Sequence, residues 1–463
     1  MTDVAEDRAV PRASLESLLN PSSVAILGAS DDPGRIGGRP LRYMLEAGFA
    51  GRIYPVNARR KTVQGLAAYP GIADVPEPVD FALLALPAAL GVEAVEACAA
   101  KGVRAMVIFS AGFAETGAEG RGLQERIAAI ARRSGMRIVG PNCLGLFQTA
   151  TGFFPTFTTS LDSGFPRPGR VAIVSQSGAY GSHLYVIARE RGIGINYWIT
   201  TGNECDVQVP ECLLRLAEDG ETEVIMAYAE GVRDRDTLIE AFRRARANRK
   251  PIVFMKVGRS RVGAEAASSH TAALAGADAV YEAVFRQFGV HRARTTEEIV
   301  DVAYACSRRI YPAGNRLGLI TISGGVGVQM ADAAEDYGLD VPPMPEDVQR
   351  RLKELLPYAS PRNPVDITAQ AFNDMSLVAA NLEIMLERGG YDAIIAFFTA
   401  VAGSSYVARP LRDGLSAAKR RFLDRLVILS IVAPRDTVRL YEEEGFLVFE
   451  DPTRAVAAVA ALV

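Results

Sequence analysis

The 463-residue chain contains three histidines, and one of them, His270, stands in a run of small residues, 266–278, reading AASSHTAALAGAD. An unprotonated imidazole is nucleophilic near neutral pH, so such a residue can accept a group or move a proton. Ala, Ser, Thr and Gly on either side leave the ring uncrowded, which suits a group that something large must reach. Local composition taken alone favours the plainer reading, a solvated histidine at a helix start.

Two further stretches have the make-up of anion sites. RVAIVSQSGAYGSHL (170–184) and RLGLITISGGVGVQM (316–330) each run from a basic residue through an apolar strand and a Ser/Gly turn into a helix start. Backbone N–H groups at a helix N-terminus, reinforced by the helix dipole, attract negative charge. The turns are Ser177-Gly178-Ala179 and Ser323-Gly324-Gly325. Two related turns opening adjacent domains predict one phosphate met by two helix termini from opposite sides.

A third stretch, SSVAILGASDDPGRIGGRPLRYML (22–45), passes from a strand through glycines into a helix, as a nucleotide fold does. Its glycine spacing does not fit the dinucleotide fingerprint, because Ser30 and Pro33 stand two and five residues after Gly28. The next strand, GRIYPVN, leads into Asn57, Ala58, Arg59, Arg60 and Lys61 instead of the acidic residue that grips the ribose diol of NAD. Three cations there suit a phosphorylated ribose, as in NADP or the 3′-phosphate of coenzyme A. Later strand ends, ALPAALG, FSAGFAETG and GPNCLGL, set small residues and Asn142 at the carboxyl edge, and no residue set for hydride transfer follows.

The elements that position these residues alternate along the whole chain. Apolar runs such as VAILGAS, FALLALP, AMVIFSAGF, VIMAYAEG, PIVFMKVG, AIIAFFT and LVILSIV are hydrophobic on both faces, as strands of helix-covered parallel sheets are. DTLIEAFRRARANRK has the amphipathic pattern of a crossover helix. The class is α/β, doubly wound. Clusters of Pro, Gly and polar residues at 154–170 and 308–316 divide the chain into three domains, 14–150, 165–308 and 314–463. A formal net charge of −3 leaves no footprint for nucleic acid or an anionic membrane. Apolar runs fall short of the roughly 20 residues of a membrane span. The five cysteines form no CxxC pair, and MTDVAEDRAVPRAS is neither a signal nor a transit peptide, so a reducing, cytoplasmic setting is expected.

In combination, VAILGAS, IYPVN, FSAGFAE, GPNCLGL, SQSGA, TGNECDV, AYAEGVRD, SSHTAALAGAD, SGGVGVQMAD and NPVDIT make the chain resemble the α subunit of the NDP-forming acyl-CoA synthetases. This is the superfamily of succinyl-CoA synthetase, and the resemblance is to its ADP-forming acetyl-CoA synthetase type, from about residue 14 to the end. It implies a Rossmann-like CoA-binding domain followed by two flavodoxin-like ligase domains. It implies CoA contacts at Gly28, Ala29, Ser30, Arg35, Gly37, Val56, Asn57, Arg59, Arg60, Leu86, Pro87, Ser110, Asn142 and Cys143. His270 matches the phosphoryl-carrying histidine and Glu230 the glutamate that orients its ring. Ala272 replaces the glycine usual in the motif, and Asn57-Ala58-Arg59 replaces Asn-Pro-Lys with the charge kept.

The resemblance implies a cycle without a protein-bound metal in this chain. Phosphate attacks an acyl-CoA to give acyl phosphate, His270 takes the phosphoryl group and releases the acid, and phosphohistidine passes it to ADP. Between steps it rests at the Ser177 and Ser323 turns. Cys143 reads as a small buried residue, and His183 and His291 as structural. Nothing reads as an ATP-grasp domain, so the nucleotide and Mg2+ are expected on a separate ATP-grasp β subunit. The alternatives are a CoA- or acyl-CoA-binding sensory or scaffold protein without turnover, and an NADP-dependent oxidoreductase, which the glycine spacing disfavours.

Overall fold

The computed structural model describes residues 14–263, 265 and 278–463; His270, with the rest of 266–277, lies outside the described residues. The first apolar runs become β1 (Ser23–Leu27) and β2 (Arg52–Val56), followed by a small hairpin of β3 (Thr62–Val63) and β4 (Leu66–Ala67), then β5 (Phe81–Leu84), β6 (Ala105–Ile108) and β7 (Arg137–Val139). The hairpin stands apart, and the other five form a parallel sheet in the order β2-β1-β5-β6-β7. On one face Ala25, Leu27, Ala82, Leu84, Met106 and Ile108 pack with Val92 and Val95 of helix Gly91–Lys101 and Ile127 and Ile130 of helix Ala118–Ser134. The alternate residues Val24, Ile26, Phe81, Leu83 and Val107 are equally buried. Burial of both faces is why these strands carry no polar alternation.

The chain then adds β8 (Leu146–Gln148) before β9 (Val171–Ser175), β10 (Ile195–Thr200), β11 (Val224–Ala229), β12 (Ile252–Lys256) and β13 (His291–Arg292). The order is β13-β12-β11-β9-β10-β8, with β8 antiparallel on the edge. Helix Arg235–Ala247 makes the crossover from β11 to β12. Asp234 caps it by accepting the Thr237 N–H at 3.0 Å, and Leu238, Ala241, Phe242 and Ala245 form its buried stripe. A third sheet contains β14 (Leu317–Thr321), β15 (Val365–Asp366), β16 (Ala393–Thr399), β17 (Leu426–Ile431) and β18 (Leu447–Phe449) in the all-parallel order β15-β14-β16-β17-β18.

With β8 and the hairpin set aside, all three sheets share the order 2-1-3-4-5. This is the flavodoxin arrangement, and the Rossmann order reduces to it when its outermost early strand is removed. In each sheet the order reverses between the first and third strands, so a crevice opens beyond β1 and β5, β9 and β11, and β14 and β16. Ligands of such folds sit at these switch points.

The chain divides into two compact units, residues up to Ala303 and residues from Tyr304. In the second, the Tyr304 hydroxyl donates to Glu442 at 2.8 Å and accepts the Val448 N–H at 3.1 Å. The first unit contains two sheets, joined along one seam. Asn203, Cys205 and Val207 donate backbone N–H bonds to Pro141, Gly140 and Ile138, at 2.9, 2.9 and 3.0 Å. Beside this ladder Arg137, 5% exposed, pairs with Asp206 at 3.0 Å and Glu211 at 2.7 Å. The connecting stretch is packed as well: Phe153, Phe154, Thr156, Thr158 and Leu161 are buried, and Phe153 lies edge-on to Phe81 with centroids 5.1 Å apart.

Removing one partner of a buried ion pair strands the other charge, which typically costs about 3–5 kcal/mol. Arg137→Ala is therefore expected to lower stability by about that amount in urea denaturation, and to open 150–168 to protease. Unchanged stability would show that the seam does not depend on the pair.

Candidate active site

At the first switch point Gly28 has φ +85°, and a side chain there would meet the Ala85 carbonyl at 2.6 Å and Leu86 at 3.0 Å. Its N–H and that of Ala29 donate to the Val56 carbonyl at 3.1 and 3.2 Å. Gly37 closes the loop by accepting the Ser30 N–H at 3.1 Å. A Cβ on Gly37 would lie 2.1 Å from the Gly28 carbonyl. Only glycine therefore fits at both positions. Asn57 holds the neighbouring strand end. Its amide donates to the Ala29 carbonyl at 2.9 Å, and its oxygen accepts the Arg59 and Arg60 N–H groups at 2.9 and 3.1 Å.

The two arginines that follow are not equivalent. Arg60 pairs with Asp31 at 2.9 Å, whereas the exposed Arg59 guanidinium has no ion pair among the described residues. Arg35, also exposed, lies 3.5 Å from Asp32. Pro87 leads into a short 3-10 turn, Ala88–Leu90, and Ser110 donates to the Leu86 carbonyl, tying the ends of β5 and β6 together.

The two serine turns share a construction. At each strand end a hydroxyl donates to the carbonyl two residues on: Ser175 to Ser177 at 2.6 Å, and Thr321 to Ser323 at 2.8 Å. Each helix then approaches its strand through a glycine. A Cβ on Gly181 would lie 2.9 Å from Ser175, and one on Gly327 would lie 3.1 Å from Thr321. Ser177 caps helix Gly178–Glu190 by accepting the Tyr180 N–H, while Ser323 gives helix Gly324–Asp336 no side-chain cap. Each N-terminus carries outward-facing N–H groups with a favourable dipole. The Ser323 turn lies in the second unit.

Glu230 follows β11 directly and is 8% exposed, so it is not a solvated strand-end carboxylate. The main-chain N–H groups of Glu230 and Gly231 donate to the Gln176 side-chain oxygen at 2.8 and 3.2 Å. Gln176 sits between Ser175 and Ser177, so the serine turn and Glu230 are one hydrogen-bonded assembly. Its amide nitrogen reaches Glu204 at 2.9 Å. Burial pushes the Glu204 carboxyl above the usual range, against the Val209 N–H, Arg233, Thr201 and Gln176, which favour the carboxylate.

The loop Asn142–Leu144 links the two sets. Asn142, at φ +57°, donates its N–H to the Ser110 carbonyl at 2.9 Å and its amide to Asn203 at 3.3 Å. Asn203 continues to Gln124 at 3.0 Å and to Glu115, which accepts the Gly112 N–H at 2.6 Å. Two residues beyond Asn142, Leu144 lies against Gly178, where an added Cβ would meet it at 2.7 Å. The loop after β7 and the serine turn at the end of β9 therefore share a wall.

Cys143 is buried, its thiol donates to the Ile108 carbonyl at 3.4 Å, and burial pushes it up to about 12, which removes it as a thiolate nucleophile. His183 is exposed on its helix, and His291 meets Glu298 at 3.0 Å. No three His, Cys, Asp or Glu side chains among the described residues are placed to hold a metal.

Residue-type reasoning passes over Gln64, Glu115, Gln176, Asn203 and Glu204. Gln64 donates to the Ser30 and Gly38 carbonyls at 2.9 and 3.0 Å and so braces the first loop. Gln176 and Glu204 fall inside SQSGA and TGNECDV, which was the available signal.

The CoA binding domain family matches residues 22–149, and the succinyl-CoA ligase like flavodoxin domain family matches 168–306. The chain is 34% identical to the ADP-forming acetate–CoA ligase I subunit alpha of Pyrococcus furiosus, over 97% of each chain. It belongs to the NDP-forming acyl-CoA synthetase family, as an α-subunit-type chain. Similarity to the single-chain ADP-forming acetate–CoA ligase I of Archaeoglobus fulgidus is 35% over 97% of this chain but only 63% of that protein. In structure, the acetyl-coenzyme A synthetase 1 of Ca. Korarchaeum cryptofilum, solved with phosphate and ADP, superposes with a TM-score of 0.88 at 32% identity, covering 97% of this chain and 96% of that one. No helix among the described residues is long and apolar enough to cross a membrane.

Burial also pushes Cys98 and Cys306 up to about 12, and raises Cys205 and Cys212. Iodoacetamide at pH 8 is expected to leave the folded chain unmodified and to reach all five thiols in urea. Rapid modification of Cys143 alone would contradict the buried reading.

Proposed function

We propose that this chain is the α subunit of an ADP-forming acyl-CoA synthetase, interconverting acyl-CoA, ADP and phosphate with carboxylic acid, CoA and ATP in the cytoplasm. CoA docks along the first switch point, with its ribose phosphate near Arg59, the arginine not already paired. Glycine-only positions Gly28 and Gly37 let the cofactor lie against backbone. The observation that supports the reading is the shared wall between Leu144 and Gly178: a thioester reaching the loop after β7 would meet the serine turn without carrier motion in the first step.

Phosphate at the Ser177 turn is held by N–H groups of Gly178 and Ala179. One of its oxygens attacks the thioester carbonyl, the C–S bond breaks, and CoA leaves as thiolate. The acyl phosphate then meets the His270 imidazole, which displaces the carboxylate as the N–P bond forms. Glu230 accepts the other ring N–H, holding the tautomer and stabilising the developing positive charge. In the second unit, taken by itself, the Ser323-Gly324-Gly325 turn opens a helix with the same kind of backbone donors for a phosphate. The domains run 14–150, 165–308 and 314–463. The unmatched third of the Archaeoglobus relative fits the assignment of ADP and Mg2+ to a separate ATP-grasp β subunit.

The chain with such a partner, ADP, phosphate and a panel of acyl-CoA thioesters is expected to form ATP, and His270→Ala to abolish it. Persisting ATP formation in His270→Ala would overturn the carrier role of His270. A competition titration is expected to show CoA, not NADPH, bound, with Arg59→Ala weakening CoA roughly tenfold and Arg60→Ala less. Tighter binding of NADPH would overturn the cofactor assignment.

A further inference from the structure

The phosphoryl chemistry above uses Glu230 but not the two buried polar side chains behind it. Gln176 is 3% exposed and Glu204 2%. The Gln176 oxygen accepts the Glu230 and Gly231 N–H groups at 2.8 and 3.2 Å, and its nitrogen donates to the Gly231 carbonyl at 3.2 Å and to Glu204 Oε2 at 2.9 Å. Glu204 Oε1 accepts the Thr201 hydroxyl at 3.0 Å and the Val209 N–H at 2.9 Å. The four bonds that Gln176 itself makes require a single orientation of its amide. Turned over, it would set NH2 against two N–H groups and oxygen against a carboxylate.

We propose that Gln176 and Glu204 are a positioning pair for Glu230: Glu204 fixes the Gln176 amide, and the amide fixes the backbone from which the Glu230 carboxylate leaves β11. The inference rests on the phosphohistidine reading and adds the residues that aim its orienting carboxylate. A buried carboxylate is a costly way to fill space, since apolar side chains would stabilise the same position better. What it supplies is direction. Because Gln176 also lies between the serines of the anion turn, the pair holds the phosphate donors and Glu230 in one frame. Neither side chain reaches substrate, so both act through Glu230.

The test is an exchange. In Glu204→Gln one oxygen remains for two sets of donors; kept against the Val209 N–H and the Thr201 hydroxyl, it sets NH2 against the Gln176 NH2, and the Gln176 amide must then turn and take its oxygen from the Glu230 N–H. Phosphorylation of His270 from labelled phosphate and acyl-CoA is expected to slow roughly 10- to 100-fold, with the KM for acyl-CoA unchanged. In the double variant Gln176→Glu/Glu204→Gln, the amide at 204 donates to one oxygen of a carboxylate at 176 and the other oxygen accepts the Glu230 and Gly231 N–H groups, with only the bond to the Gly231 carbonyl lost. It is expected to run at least about tenfold faster than Glu204→Gln alone.

Wild-type speed in Glu204→Gln, or a double variant no faster than the single one, would overturn the pair. So would a Glu204→Gln chain whose CoA binding and melting temperature fall along with its rate, with all three restored together, because that is a purely structural role. An unlabelled wild type would overturn the phosphohistidine reading itself, and the pair with it.

Discussion

The constraint on which the site depends is the seam where Ile138–Pro141 runs against Asn203–Val207. Three backbone bonds make it a short ladder, and beside it Arg137 and Asp206 are nearly fully buried, with Glu211 partly exposed. A ladder fixes register, so it sets which residues of the two domains can meet. It brings Asn142 to Asn203 and, two residues on, Leu144 to Gly178. The ion pair is expensive to bury and more expensive to break, so it serves as a lock on that register.

From the seam outward the same logic repeats. One strand order, used three times, creates three crevices, and the chain furnishes each with a different surface. The first has a loop in which backbone is exposed because side chains do not fit at Gly28 and Gly37. The second has a helix terminus and a buried glutamate, coupled through a single amide. The third has an uncapped helix terminus whose strand-end hydroxyl braces the turn as in the second. In the function proposed here backbone donors do most of the anion binding, which suits a chain that carries little net charge.

Much of this was legible in the sequence, and the reason is specific. Strands such as Phe81–Leu84 are buried on both faces and carry no polar residue, so they announce a covered parallel sheet. The serine turns were readable because helix starts have a local chemistry. The cation run after β2 pointed to a phosphorylated ribose, but the division of labour between Arg59 and Arg60 depends on Asp31, 29 residues from Arg60. The residues passed over share one property: their roles depend on partners distant in sequence. Glu204 reads as a solvated carboxylate until Gln176, 28 residues earlier, is seen to face it. Likewise Gln64 reads as a turn residue until its carbonyl partners in the first loop are in view. Family motifs flagged the stretches holding Gln176 and Glu204 without saying which atoms mattered.

The central claim is that this chain carries a phosphoryl group on His270. A single-turnover reaction of the purified chain with labelled phosphate and acetyl-CoA, followed by mapping of the labelled peptide, tests it most directly. The account predicts acid-labile, alkali-stable label confined to the peptide containing His270 and approaching one group per chain. Label on another residue, or an unlabelled chain that still supports ATP formation with its partner, would contradict it.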